Sequence, residues 1–177
     1  MARKEIPFDM LRVRPHHLWN SQWLLLTVGD FKARKFNAMT VGWGSLGTMW
    51  GRPFAQTVVR PTRYTYQFLK QCNTFTLCAF PSEYRQALQL LGTRSGRDGD
   101  KIAQAGLTPI ASTQVAAPGF AEADLIIECR QLYWDDLEPS HFLDSKINGH
   151  YPKQDYHRVF FGEILAIWGT DTYRADS

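Results

Sequence analysis

Residues 58–66 read Val58-Val59-Arg60-Pro61-Thr62-Arg63-Tyr64-Thr65-Tyr66, a β-branched run broken by proline, then a threonine set between two arginines. Pro61 lacks an N–H and holds its neighbour extended, so a strand should stop here. Thr62 is a good N-cap for a helix over 62–71, whose first-turn N–H groups would point outward. Those donors, the helix dipole, a hydroxyl and the guanidinium groups of Arg60 and Arg63 would form an anion site, with phosphate the natural occupant. The same residues also suit an ordinary capped helix with two solvated arginines, and the segment alone leaves both readings open.

The remaining chemistry-bearing residues exclude more than they suggest. Cys72, Cys78 and Cys129 are odd in number and form no CxxC pair, which argues against a redox dithiol or a zinc knuckle. They are expected to be buried thiols in a reducing compartment. His16-His17, His141 and His150 lack metal-ligand spacing, so no metal site is expected. Neither a GxSxG elbow nor a P-loop is present, which leaves hydrolase and nucleoside triphosphatase readings without support. The net charge is +3 with scattered basic residues. That does not make a nucleic-acid face, but it agrees with a small anionic ligand.

These residues need a scaffold, and the chain supplies many short strands. Runs at 23–28, 35–41, 54–60, 74–80, 125–133 and 158–168 have strand character, with a glycine-rich link at 42–47. Helices are expected at 62–71, at 82–91 with Ser82 as cap and Gly92 as stop, and at 98–105. Irregularly spaced strands with few helices suit a mainly β barrel of six or more strands, with two to three peripheral helices, rather than a doubly wound sheet. A chain of 177 residues fits one domain. The aromatic share of 14%, with six tryptophans, suits a β-rich core or a flat pocket for a ring-shaped ligand. The N-terminus lacks a signal-type run and residues 23–28 are too short to cross a bilayer, so a cytoplasmic protein without membrane contact is expected.

Four stretches taken together carry a resemblance. They are Asn37-Ala38-Met39-Thr40-Val41-Gly42-Trp43-Gly44-Ser45, Val59-Arg60-Pro61-Thr62-Arg63-Tyr64-Thr65, Ser95-Gly96-Arg97-Asp98-Gly99-Asp100-Lys101 and Asp155-Tyr156-His157-Arg158-Val159-Phe160-Phe161-Gly162-Glu163-Ile164. In this order, over about residues 20–168, the chain resembles the flavin reductase-like proteins with an FMN-binding split barrel, especially the flavoredoxin-like branch. The resemblance implies a single Greek-key-like split-barrel domain over 1–177. It also implies a homodimer with FMN in a groove near the subunit interface, and hydride transfer from NADH or NADPH to the flavin. A redox protein or a monooxygenase stays open as a further partner, and the electron acceptor is left undetermined.

Residue by residue, the resemblance assigns cofactor contacts to Asn37, Met39, Thr40, Trp43, Gly44, Ser45, Arg60, Thr62, Arg63, Tyr64, Ser95, Gly96 and Lys101. Glycines beside Trp43 let the backbone approach a flat ring. Asn37 and Thr40 would bond the ring edge or the ribityl chain. His157 would meet the nicotinamide amide or the open flavin face, its titration near neutrality making activity pH-dependent. Asp155 would orient the His157 ring or simply make a turn. The excursion over 135–156 departs from the shortest barrels of this kind and would cap the groove or pack on a partner subunit. Two other roles stay open: an FMN carrier without a nicotinamide site, and an FMN-dependent oxidase of a small amine. No Rossmann fingerprint chooses between NADH and NADPH.

Overall fold

A two-residue link sets the shape of the molecule. In the computed structural model, which describes residues 2–175, strand follows strand: β1 (Lys4–Glu5), β2 (Leu24–Asp30), β3 (Lys35–Val41), β4 (Gly44–Met49) and β5 (Arg52–Val59). After helix α1 (Tyr64–Gln71) come β6 (Thr74–Ala79), α2 (Arg85–Thr93) and α3 (Lys101–Gln104). The short β7 (Pro109–Ile110) and β8 (Gly119–Phe120) pair with each other, before the long β9 (Leu125–Asp136) and β10 (Arg158–Gly169). Met1, Asp176 and Ser177, the ends of the 1–177 domain expected from sequence, lie outside the described residues.

The antiparallel path runs β3-β2-β6-β9-β10-β5-β4, with β1 added to β10. Flat, such a path would hold its edges about 29 Å apart at ~4.8 Å per strand spacing. Yet β3 ends at Val41 and β4 begins at Gly44, and a link of that length spans at most about 11 Å. The sheet must therefore curl until its edges approach. Among the described residues those edges do not pair with each other, so the barrel is split.

Alternation then sorts the strand side chains into two cores. Leu24, Leu26 and Val28 of β2 join Phe75, Leu77, Leu125, Ile127, Phe160 and Ile164 inside the barrel. Leu25, Ala38, Cys78 and Ile126 point the other way, under Leu88 and Leu91 of α2 and Ile102 of α3. Both faces of β2 are thus buried.

Several boundaries differ from those expected from sequence. The glycine-rich link is largely a strand, β4, paired with β5 from Gly44↔Thr57 to Met49↔Arg52. Its glycines are packing choices: a Cβ on Gly44 would strike the Gln56 carbonyl and the Trp19 ring, and one on Gly47 would come 3.1 Å from Phe54. Ser82 opens a 3₁₀ turn, Ser82–Tyr84, rather than capping α2. Gly92 does not stop α2 but lies in its last turn, where a Cβ would come 3.2 Å from the Thr40 Cβ; its smallness lets α2 settle onto β3. The third helix shrinks to α3, capped by Asp100, which accepts from the N–H groups of Ile102 and Ala103.

Gly162, at a register irregularity between β10 and β9, faces the interior, where a Cβ would lie 2.9 Å from the Cys129 Cβ and closer still to the Phe75 ring. Both neighbours are fully buried. Gly162→Ala should therefore lower stability by about 1–3 kcal/mol, as overpacking does. Urea denaturation tests this, and an unchanged midpoint would mean that Phe75 retreats at no cost.

Candidate functional site

The corner after β5 is built largely as its residues demand, with one correction. Arg63, not Thr62, occupies the N-cap position of α1; its backbone is extended (φ −74°, ψ 140°) and no side chain caps the helix. The helix therefore starts later than the threonine suggested. Among the described residues the N–H groups of Tyr64 and Thr65 have no protein acceptor. The first turn is left open, as an anion site requires.

Around that turn the fold gathers Asn37, Met39, Thr62, Arg63, Tyr64, Ser95, Gly96 and Lys101 on the walls of one small cleft of about 100 Å³. Eight of the expected cofactor residues, drawn from three separate stretches, thus meet. Asn37 is buried on β3 and donates from Nδ2 to the Thr65 Oγ1 at 2.6 Å. Gly96 must be glycine, because a Cβ would collide with the Asn37 Oδ1 and crowd the Tyr64 ring.

The charges in this cleft are one-sided. Lys101 is only 5% exposed, its Nζ donating to the carbonyls of Leu91 (2.8 Å) and Arg94 (3.0 Å). Burial, reinforced by the nearby Arg63 charge, pulls its pKa down to about 8. Arg63 donates to the Gly92 carbonyl, while Arg97 lies over the Tyr64 ring, 4.9 Å from its centroid. Among the described residues none of Arg63, Arg97 and Lys101 has a carboxylate partner. Asp100 is engaged in capping α3. A buried cation without a counter-charge is costly, and an anion from outside would relieve it.

Arg60 has a different fate. It pairs with Asp155 at 2.8 Å, donates to the His150 carbonyl at 2.8 Å and lies 5.0 Å from the centre of the Tyr151 ring. Its guanidinium thus ties down the excursion that precedes β10. The hydrogen bond from Arg60 holds the Asp155 carboxyl below the usual carboxylate range. Asp155 does not orient His157; the partner of the His157 Nδ1 is the Tyr151 hydroxyl, at 2.8 Å. The His157 ring stands 5.1 Å from that of Trp43, which is 46% exposed and also meets His150 edge-on at 5.5 Å. Burial first, then the charge of Arg60, pushes the His157 pKa down to about 4 against the opposing pull of Asp155. The expected titration near neutrality is overturned: the ring is neutral there.

The other expected residues lie outside both groups. Thr40 turns away beneath α2, donating to the Leu88 carbonyl at 2.5 Å. Ser45 bonds the Gln56 Oε1 across the β4–β5 pair at 2.8 Å, and Gly44 supports the Trp43 turn against Trp19. Tyr151 and Arg97 were not singled out from sequence. For Tyr151 the available signal was aromatic density in an otherwise polar segment; for Arg97 it was its place within the quoted 95–101 stretch. A larger cavity of about 730 Å³, lined by Arg14, His17, Phe80 and Tyr173 among others, contains none of the expected residues. The small cleft is the better candidate because open N–H groups and unpaired cations converge there. Among the described residues no helix is long and apolar enough to cross a membrane.

Comparison with known proteins adds independent findings. The family model described as "Flavin reductase like domain" matches residues 20–175. An uncharacterised protein of Archaeoglobus fulgidus is 24% identical over 140 residues, 79% of this chain and 69% of the relative. The flavoredoxin of Desulfovibrio vulgaris (Miyazaki F) superposes with a TM-score of 0.67 at 22% identity, covering 90% of this chain and 78% of that one. An NADH:FAD oxidoreductase of Streptomyces globisporus gives 0.64 at 16% identity, covering 86% and 78%. At these identities the structures establish a shared fold.

The low pKa of His157 has a definite sign. With a folded value of about 4 against 6.5 unperturbed, the unfolded chain binds the extra proton between those values. The contribution of His157 to stability is thus fully present above about pH 6.5 and declines as the pH falls toward 4. NMR titration of the His157 ring should show no protonation from pH 8 down to pH ~5; a midpoint between 6 and 7 would refute the burial argument.

Proposed function

The chain belongs to the flavin reductase-like family, and on that footing we propose that it binds FMN and passes hydride from NADH or NADPH to the flavin, acting as a homodimer. The observation that carries this reading is the buried, unpaired Lys101 beside the open first turn of α1. The residues present fit the phosphate of FMN: the open N–H groups of Tyr64 and Thr65 stand with Arg63, Arg97 and Lys101 around one cleft whose described lining holds no carboxylate. Gly96 keeps that cleft open beside Asn37 and Tyr64.

FMN, when bound, supplies the two-electron acceptor, so the protein needs no strong acid or base for the hydride itself. The work of this chain is positioning. Trp43, exposed at the barrel seam, offers an aromatic face, and His157 offers a neutral imidazole next to it. Arg60, paired with Asp155, braces the segment behind His157 and does not meet the phosphate. Support for a homodimer comes from an exposed aromatic patch on the β5–β10–β9 face. There Trp50 (58% exposed) and Tyr133 (46%) pack against Phe161. A patch of this kind suits a second copy. The second reading, an FMN carrier without nicotinamide turnover, is favoured by the close T-shaped packing of His150 against Trp43, which takes up space beside that ring.

Lys101→Met and Arg63→Ala should each weaken FMN binding by about 1.5–3 kcal/mol, the range for hydrogen bonds to charged groups. Arg60→Ala should weaken it much less. Flavin fluorescence titration reads all three, and equal losses for Arg60 and Lys101 would move the phosphate to the Arg60 side. Anaerobic addition of NADH or NADPH to the FMN-loaded protein should bleach the flavin. Retained but unbleached flavin would establish the carrier instead, while absence of both binding and steady-state turnover with added FMN would remove the proposed function.

A further inference from the structure

We propose that Tyr151 is a positioning residue that locks His157 in its neutral Nε2–H form, so that the site presents a fixed, uncharged hydrogen-bond donor beside Trp43. The acceptor it suits is a carbonyl or carboxamide oxygen. Its place in catalysis rests on the flavin reading above; the tautomer does not.

Hydrogen-bond satisfaction carries the inference. The Tyr151 side chain is nearly sealed, at 4% exposure, and among the described residues the partner of its hydroxyl is the His157 Nδ1 at 2.8 Å. A neutral imidazole has one N–H and one bare nitrogen. If Nδ1 carried the proton it would donate to the phenol oxygen, leaving the buried phenol proton without an acceptor, an arrangement folded proteins rarely tolerate. If the phenol donates to Nδ1, both groups are satisfied and the ring proton sits on Nε2. Among the described residues Nε2 has no protein acceptor, and it is not one of the sealed, unsatisfied polar atoms, so solvent or a ligand can reach it.

The surrounding charges remove the third possibility, an imidazolium. Arg60 and Arg63 both oppose a second positive charge on the ring. Asp155, the carboxylate that would favour one, is held by Arg60 at 2.8 Å. His150 meets Trp43 edge-on with ring centres 5.5 Å apart, and Tyr156 packs on Tyr151 with ring centres 4.9 Å apart. Burial also pushes the Tyr151 hydroxyl up, so it stays protonated and able to donate. Tyr151 itself is held still. Phe142 stacks on it at 6.1 Å with planes 12° apart, and Arg60 covers its ring. The segment between β9 and β10 is thus a brace for His157.

Nitrogen-15 NMR of the histidine ring in the ligand-free protein tests the lock directly. The wild type should show the Nε2–H tautomer from pH 5.5 to 8, and Tyr151→Phe a mixture of tautomers. A Nδ1–H or mixed population in the wild type would overturn the proposal whether or not the variant folds; so would unchanged populations in a folded Tyr151→Phe. Two kinetic arms identify the acceptor. If it is the nicotinamide carboxamide, Tyr151→Phe raises the KM for the nucleotide roughly 3–10-fold, as loss of an oriented hydrogen bond does, and leaves FMN affinity unchanged. If it is a flavin carbonyl, the loss falls on FMN affinity. His157→Gln, whose amide nitrogen can donate from the place of Nε2, should recover part of what His157→Leu loses; no difference between the two would overturn the donor role. A locked tautomer in a protein without NAD(P)H turnover would leave the positioning intact and refute the reductase reading alone.

Discussion

The link of Gly42 and Trp43 between β3 and β4 is the constraint on which the rest depends. It joins strands that lie at opposite ends of the hydrogen-bonded path, so the sheet can satisfy it only by curling. The same link holds Trp43 at the seam where the edges meet. Its backbone is threaded between large neighbours: a Cβ on Gly42 would approach the Trp19 carbonyl and the Trp23 ring at 3.3 Å, and Gly44 lies against Trp19. The corner after β5 and the segment before β10 converge on this seam because Val59 pairs with Arg158. The geometry that makes the barrel therefore also assembles the site.

Electrostatics divides that site in two. Arg60 and Arg63 are close in sequence, yet one is neutralised by Asp155 and the other faces a cleft with no acid. The difference follows from what each side of the corner meets. Arg60 points toward the segment preceding β10, which brings a carboxylate and a carbonyl. Arg63 points toward the end of α2, which offers the Gly92 carbonyl. Lys101, sealed behind the same helix end by the carbonyls of Leu91 and Arg94, adds a second cation without a carboxylate partner among the described residues. Burial and Arg60 push the His157 pKa down, so the half around Trp43 offers dipoles and rings rather than net charge.

Much of this was legible in the residues. Of the residues around the proline corner, Thr62, Arg63 and Tyr64 meet Ser95, Gly96 and Lys101 of the 95–101 stretch together with Asn37 and Met39, whereas Arg60 turns to Asp155. The strand over 74–80 was visible because apolar and polar residues alternate at its start. β4 was not, because glycine has low strand propensity and the reason for Gly44 and Gly47 lies in side chains of other elements. The start of α1 was misplaced because a threonine after proline is a good cap in isolation, while here Pro61 and Thr62 form a turn closed by the Arg63 N–H on the Arg60 carbonyl, and Arg63 is the extended residue before the helix. Thr40, on a strand that otherwise serves the site, faces α2 because alternation assigns it to the outer face.

By itself the sequence determined the fold class and the family, since strand patterning, turn residues and short motifs are local properties. Only the tertiary structure decided which arginine is neutralised, which partner holds His157 and what its charge is. Those outcomes depend on desolvation and on groups far apart in the chain, such as Arg60 and Asp155 or Trp43 and His157, that meet only once the sheet has curled.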